Sequence, residues 1–192
     1  LAERDFGGAV GEGAALPTPA TFAGGTRTTS KSLEQANLVF LLPAVGVRDE
    51  AYFALRLYAE ILGGGMASRL FQEAREKRGL AYAVDAYSET YADTGALGIF
   101  AGCAAKDAAE LARVAAGEVQ GMATRIEPAE LSRAKAQLKA SMFMAREQPL
   151  SRSEQAAAQV LLFGATLPTA ELAQQIDVVT AQDIIALGQQ IL

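Results

Sequence analysis

Histidine is absent from this 192-residue chain, and cysteine occurs once, at Cys103. Hydrolytic triads that shuttle protons through His are therefore excluded. A zinc site built from this chain alone would have to use carboxylates and a single thiolate, against the usual preference for His and Cys. One cysteine also rules out an internal disulfide and leaves the redox compartment open. Tryptophan is missing and aromatic residues make up only 7%. No apolar run approaches the roughly 20 residues that span a bilayer as a helix. Basic residues do not dominate: the net charge is −5, a balance that does not favour nucleic acid or an anionic membrane surface. No basic segment leads into an apolar one as in a signal peptide. The first residue is Leu1 rather than Met, which leads us to expect a fragment or a processed piece.

What is present suits one folded domain. Hydrophobic residues reach 51%, and the length is enough for a real core. Residues 1–32, rich in Gly, Ala, Thr and Pro, read as a linker or flexible arm, with Thr26–Lys31 a candidate edge strand. Residues 33–44 (LEQANLVFLLPA) read as a strand that stops near Pro43. Residues 47–65 read as a helix with Asp49 as N-cap, Phe53, Leu57 and Ile61 on one side, and Gly63, Gly64 and Gly65 at its end. A second α-helix is predicted over Ala67–Arg78, capped by Ser68 and closed by Gly79. The segments LAYAVDAYSE and ALGIFAGCAA, joined by ADTG, predict a β-hairpin. Beyond Lys106 the pattern becomes helical, with Pro128 at one helix start and Thr180 with Asp183 as a capping box at another. The fold class that follows is α+β: a two-layer sandwich with a largely antiparallel sheet covered by helices on one face.

The stretch RLFQEAREKRGLAY (69–82) carries the most chemistry. Arg75 follows Phe71 by four residues and so lies at the margin of the apolar stripe, where its stem can be buried and its guanidinium sent into a cleft. In the following strand, period-2 alternation puts Tyr82, Val84 and Ala86 on one face. A tight turn at Gly79 would bring Arg75 and Tyr82 into one space. Both donate hydrogen bonds, a pairing that suits a peptide carbonyl or the oxyanion formed when it is attacked. By spacing alone, the favoured reading of the same residues is a solvated charged helix end followed by a Tyr-bearing strand. The Gly63–Gly65 loop lacks the spacing of a phosphate loop and reads first as a helix cap with close backbone packing. Cys103 reads as core, Met142 and Met144 as helix packing, and Asp85 with Glu89 as an unsupported carboxylate pair.

The runs QANLVFLLPA, RDEAYFALRLYAEILGGGMASRLFQEAREKRGLAYAV, the DTG turn and PAELSRAKAQLKASM together resemble the pitrilysin and mitochondrial-processing-peptidase family of zinc metallopeptidases. The similarity runs in order from about Ser32 to Leu192 and is to the second, C-terminal half of a bacterial member. In that family two homologous halves close around a peptide. The resemblance implies that zinc and a general base belong to an H-x-x-E-H motif in the other half. It implies that the half seen here, residues 33–192, binds no metal. Arg75 would bind the substrate carbonyl and Tyr82 the tetrahedral intermediate, with Gly63, Gly64 and Gly65 as further substrate contacts. The implied partners are an N-terminal zinc-binding half or a partner subunit, and an extended peptide. A bacterial cytoplasmic or periplasmic setting is left open. The family also includes inactive homologues that serve as structural subunits, the alternative reading.

Overall fold

Three antiparallel strands in the order β1-β3-β2, with helices stacked against one face, carry the fold. The computed structural model describes residues 2–8, 18 and 20–192. The rest of the arm expected over residues 1–32 lies outside the described residues. After a short helix, α1 (Ala2–Phe6), and an exposed segment come β1 (Ala36–Ala44), α2 (Tyr52–Gly63) and a π-helix (Phe71–Lys77). The hairpin β2 (Ala81–Thr90) and β3 (Gly95–Cys103) follows, then α3 (Ala108–Met122), α4 (Pro128–Ala145), α5 (Pro149–Phe163), α6 (Thr169–Val178) and α7 (Ala181–Ile191).

The strands obey the two-residue period of a pleated sheet with one covered face. In β1, Leu38, Phe40, Leu42 and Ala44 are partly buried, whereas Asn37, Val39, Leu41 and Pro43 are exposed. Phe40 pairs with Ile99 and Leu42 with Leu97 on β3, so the inward side chains of both strands meet one core. β3 is the central strand, and Leu97, Ile99, Ala101 and Cys103 are all buried. Over them lies α2, whose Leu55, Leu57, Tyr58 and Leu62 are fully buried. The α7 residues Ile184, Leu187 and Ile191 join the same core. The Tyr58 hydroxyl donates to the Val119 carbonyl at 3.2 Å, as a buried phenol must find a partner. Burial pushes its pKa up. Cys103 is buried, as expected for a core residue, and burial pushes its thiol up.

Several local expectations hold in detail. Pro128 opens α4, and Thr180 with Asp183 forms the expected capping box on α7, with Asp183 N to Thr180 Oγ1 at 3.2 Å and Thr180 N to Asp183 Oδ2 at 2.7 Å. Others are corrected. Thr26–Lys31 forms no strand and is exposed throughout. Asp49 does not cap α2: its carboxylate accepts from Ala51 N at 2.8 Å inside the preceding turn, and α2 starts at Tyr52. Ser68 does not cap the next helix either. Its hydroxyl donates back to the Gly65 carbonyl at 2.7 Å, which serves the glycine loop instead. The predicted α-helix over Ala67–Arg78 is a π-helix across Phe71–Lys77, a rarer geometry that recurs at functional positions.

Candidate functional site

The π-helix sets where Arg75 goes. Its i→i+5 winding is wider than an α-turn, so a residue four positions on sits nearly over its predecessor. The Arg75 guanidinium carbon accordingly lies 4.8 Å from the centroid of the Phe71 ring, a cation–π stack that holds the planar fork without using its donors. The two cations that follow are committed. Lys77 and Arg78 each reach Glu73 at 2.9 Å, and Arg78 also approaches Glu110 at 3.6 Å. Their hydrogen bonds hold the Glu73 carboxyl below its usual range. Arg75 is exposed, and among the described residues it makes no ion pair.

The chain then reverses at Gly79, whose φ of 62° is in the left-handed region that glycine tolerates. Gly79 N donates to the Arg75 carbonyl at 3.1 Å and Leu80 N to the Ala74 carbonyl at 2.8 Å. Leu80 and Ala81 are buried, which anchors the start of β2. Next comes an irregularity that the alternation rule does not foresee. Ala81 pairs with Cys103 but Gly102 pairs with Ala83, so Tyr82 is the extra residue of a β-bulge. Bulges re-aim a side chain. Here Tyr82 and Ala83 are both exposed while Ala81 and Ala86 are buried. The expectation that Tyr82 shares the face of Val84 and Ala86 is therefore corrected: Val84 and Ala86 pack on the core, and Tyr82 stands 56% exposed. Arg75 and Tyr82 flank the Gly79 turn, one on a π-helix and one on a bulge. Neither lines the clefts found among α2, α4, α5 and α6.

The glycine loop behaves chiefly as packing. Gly63 is buried at the end of α2, and a Cβ there would fall 2.2 Å from the backbone nitrogen of Ala86 on β2. Gly64 carries its cap N–H to the Glu60 carbonyl. Its own carbonyl accepts from Gln137 Nε2 at 2.8 Å, and the Ala67 carbonyl accepts from Arg133 at 3.0 Å. Gly65 takes φ 103° and is exposed beside Met66. The loop is thus tied to α4, and the charged helix it introduces is tied there as well. Arg69 binds Glu130 through two hydrogen bonds of 2.9 and 2.8 Å and donates to the Arg125 carbonyl at 2.6 Å. Burial opposes the charge on Glu130, yet the Arg69 contacts hold its carboxyl below the usual range. This brace, which positions the segment bearing Arg75, was not found from sequence: 61 residues separate its partners, and no local spacing rule links them.

Glu60 is the counterpoint. One carboxylate oxygen is buried without a hydrogen-bond partner. Burial pushes its pKa up, with Arg56 opposing and Asp85 adding. A folded carboxyl with a raised pKa favours the protonated state, so the fold loses stability as pH rises from the unfolded pKa, about 4.3, through the higher folded one. Glu60→Gln removes that penalty. We expect it to raise unfolding free energy at pH 7 by about 1 kcal/mol, with the gain vanishing below about pH 4. Denaturant melts of both proteins across that range check it, and an equal gain at pH 3 would contradict the assignment.

Known proteins resemble this chain in sequence and in fold. An uncharacterized zinc protease of Rickettsia felis is 36% identical over 174 residues, which cover 90% of this chain and 42% of that protein. One from Streptomyces coelicolor is 32% identical over 171 residues, 88% of this chain and 37% of the relative. The chain thus spans about two-fifths of these relatives' length. Among solved structures, a chain of complex III2 from Candida albicans superposes with a TM-score of 0.81 at 23% identity over 90% of this chain and 44% of that one. The peptidase M16 inactive domain from Pseudomonas fluorescens superposes with 0.71 at 23%, over 82% and 38%. These two likenesses speak for the fold. Residues 10–138 match the family description "Peptidase M16 inactive domain", and the chain belongs to that family of zinc peptidases.

Proposed function

We propose that this chain is the C-terminal, peptide-gripping half of a zinc endopeptidase. Residues 33–192 form the working domain and residues 1–32 an arm leading into it. The observation that carries the reading is the exposure of Arg75 and Tyr82 on either side of the Gly79 turn. Each stands on a backbone irregularity, and neither is engaged by an ion pair or side-chain hydrogen bond among the described residues. Zinc does not fit this chain: histidine is absent and the only thiol is buried. The metal and the general base belong to an N-terminal half or a partner subunit outside it. What this chain supplies is donors. Arg75 presents a rigid fork to a substrate carbonyl, and Tyr82 presents a phenol to the oxygen that gathers negative charge when that carbonyl is attacked. Gly65, the exposed glycine of its loop, is placed to meet the peptide, with Gly63 and Gly64 supporting it from behind.

Arg75→Lys tests the grip. The substitution keeps the charge but loses the planar fork and its stack on Phe71. Assayed with the zinc-bearing half, it should raise KM about tenfold, the scale of one charge-assisted hydrogen bond, and leave the melting curve unchanged. Unaltered kinetics would remove Arg75 from the site and strengthen the rival reading, a structural subunit with no part in peptide cleavage.

A further inference from the structure

Helix α5 is fastened toward its C-terminal end and exposed along most of its length. Near its C-terminus, Arg48 donates to the Leu162 carbonyl at 3.1 and 2.6 Å. The Gln159 carboxamide oxygen accepts from Leu167 N at 2.9 Å, and just before the helix Arg146 donates to the Thr169 hydroxyl. Yet no residue of α5 is buried. Domain interiors leave few voids larger than a water, and here a long trough runs beneath the helix. Its inner arm, about 470 Å³, is walled by Phe53, Leu138, Leu162, Leu172 and Ile176 among others. Its outer arm, about 320 Å³, is lined by Arg146 and Arg152 and by no acidic side chain. The two arms adjoin, with Met142, Gln155, Gln159, Leu167 and Leu172 lining both. Beyond the arginines lies a shelf where Glu147 stands beside both of them. Each arm falls within or near the size range of small-molecule sites, about 300–1,000 Å³.

We propose that this trough binds an aliphatic carboxylate, a fatty-acid-like chain lying in the apolar arm with its head group between Arg146 and Arg152. Charge sets the direction: on a chain of net charge −5, the outer arm presents two guanidiniums, whereas the inner arm holds one, Arg56, which donates to the Tyr52 hydroxyl. Arg152 makes no side-chain hydrogen bond or ion pair among the described residues. Polarity sets the tail. A peptide would carry a backbone amide into the apolar arm at every residue, each costing free energy unless it finds a partner, and the few polar side chains there, Arg56, Ser141, Gln155, Gln159 and Tyr52, are in part already engaged. Gln159 is held by Leu167, and the Tyr52 hydroxyl accepts from Arg56 at 3.0 Å. An alkyl chain brings no such groups. The inference is independent of the peptidase reading, since the trough contains neither Arg75 nor Tyr82.

The test titrates dodecanoate, below its micellar concentration, into the intact protein by calorimetry. Dodecanoate should bind at one site and at least about tenfold more tightly than dodecanol, the difference expected from charge-assisted hydrogen bonds. Arg152→Gln, an exposed change with no folding cost, should erase that difference while leaving dodecanol binding as it was. Ala158→Trp, which projects a ring into the apolar arm, should abolish binding of both; its circular-dichroism melt establishes whether the protein is folded, and Arg152→Gln decides the matter if it is not. Equal binding of dodecanoate and dodecanol, or dodecanoate affinity untouched by Arg152→Gln, overturns the proposal. So does tighter binding of a short apolar peptide ending in a free carboxylate, which would make the trough a peptide site.

Discussion

Tyr82→Phe is expected to lower kcat by about 10²-fold when the chain is assayed with its zinc-bearing half, the usual cost of removing one preorganised oxyanion donor. The substitution deletes a single oxygen. Tyr82 is 56% exposed, and its hydroxyl makes no hydrogen bond among the described residues, so the folded chain loses nothing when it goes. The bulge that turns the ring outward is a backbone feature, set by the pairing of Ala81 with Cys103 and Ala83 with Gly102, and it survives the change. The loss should therefore fall on kcat and on kcat/KM together, the signature of a contact made only as the reaction proceeds. Melting curves for the two proteins should superpose. Turnover within twofold of the parent would exclude Tyr82 from the reacting centre and, with Arg75→Lys also silent, leave the scaffold reading standing.

Gly63→Ala is expected to be severely destabilising, costing about 3 kcal/mol, the upper range for overpacking. The added methyl would sit 2.2 Å from the backbone nitrogen of Ala86, 2.5 Å from its Cβ and 2.8 Å from the carbonyl carbon of Asp85. None of these is the end of a flexible side chain, so relief requires α2 to lift away from β2. That movement would disturb Leu62 and Tyr58, both fully buried on the same helix. Gly65→Ala makes the comparison: its nearest neighbour would be the Gln137 amide at 3.3 Å, and its cost comes from φ 103° rather than from a collision. Thermal unfolding of the two variants should separate them clearly. A Gly63→Ala protein as stable as the parent would show that the helix and strand are not in the contact described.

Much of this protein is readable from its one-dimensional pattern, and the reason differs from place to place. The apolar run in residues 33–44 marks β1 as a strand, but its covered face is set by pairing with β3, since the exposed Val39 and Leu41 are as apolar as their covered neighbours. Pro128 and the Thr180–Asp183 box mark helix starts because the groups they satisfy lie within one turn. Asp49 and Ser68 have the chemistry of caps, but their neighbours offered nearer partners, a turn amide in one case and the Gly65 carbonyl in the other. Arg69 and Glu130 carried no readable signal, since what joins them is the approach of two helix ends.

The site divides along the same line. That Arg75 and Tyr82 stand seven residues apart, across a glycine, on a chain without histidine, is a property of sequence, and so is membership of the peptidase M16 inactive-domain family. Which way the two side chains face was decided only by tertiary structure. A local rule assumes ideal repeats of 3.6 and 2 residues. Here the helix widens to a π-turn, and β2 takes an extra residue to keep both Ala81 and Ala86 buried against the core. Core packing sets that register, and packing depends on residues distant in the chain.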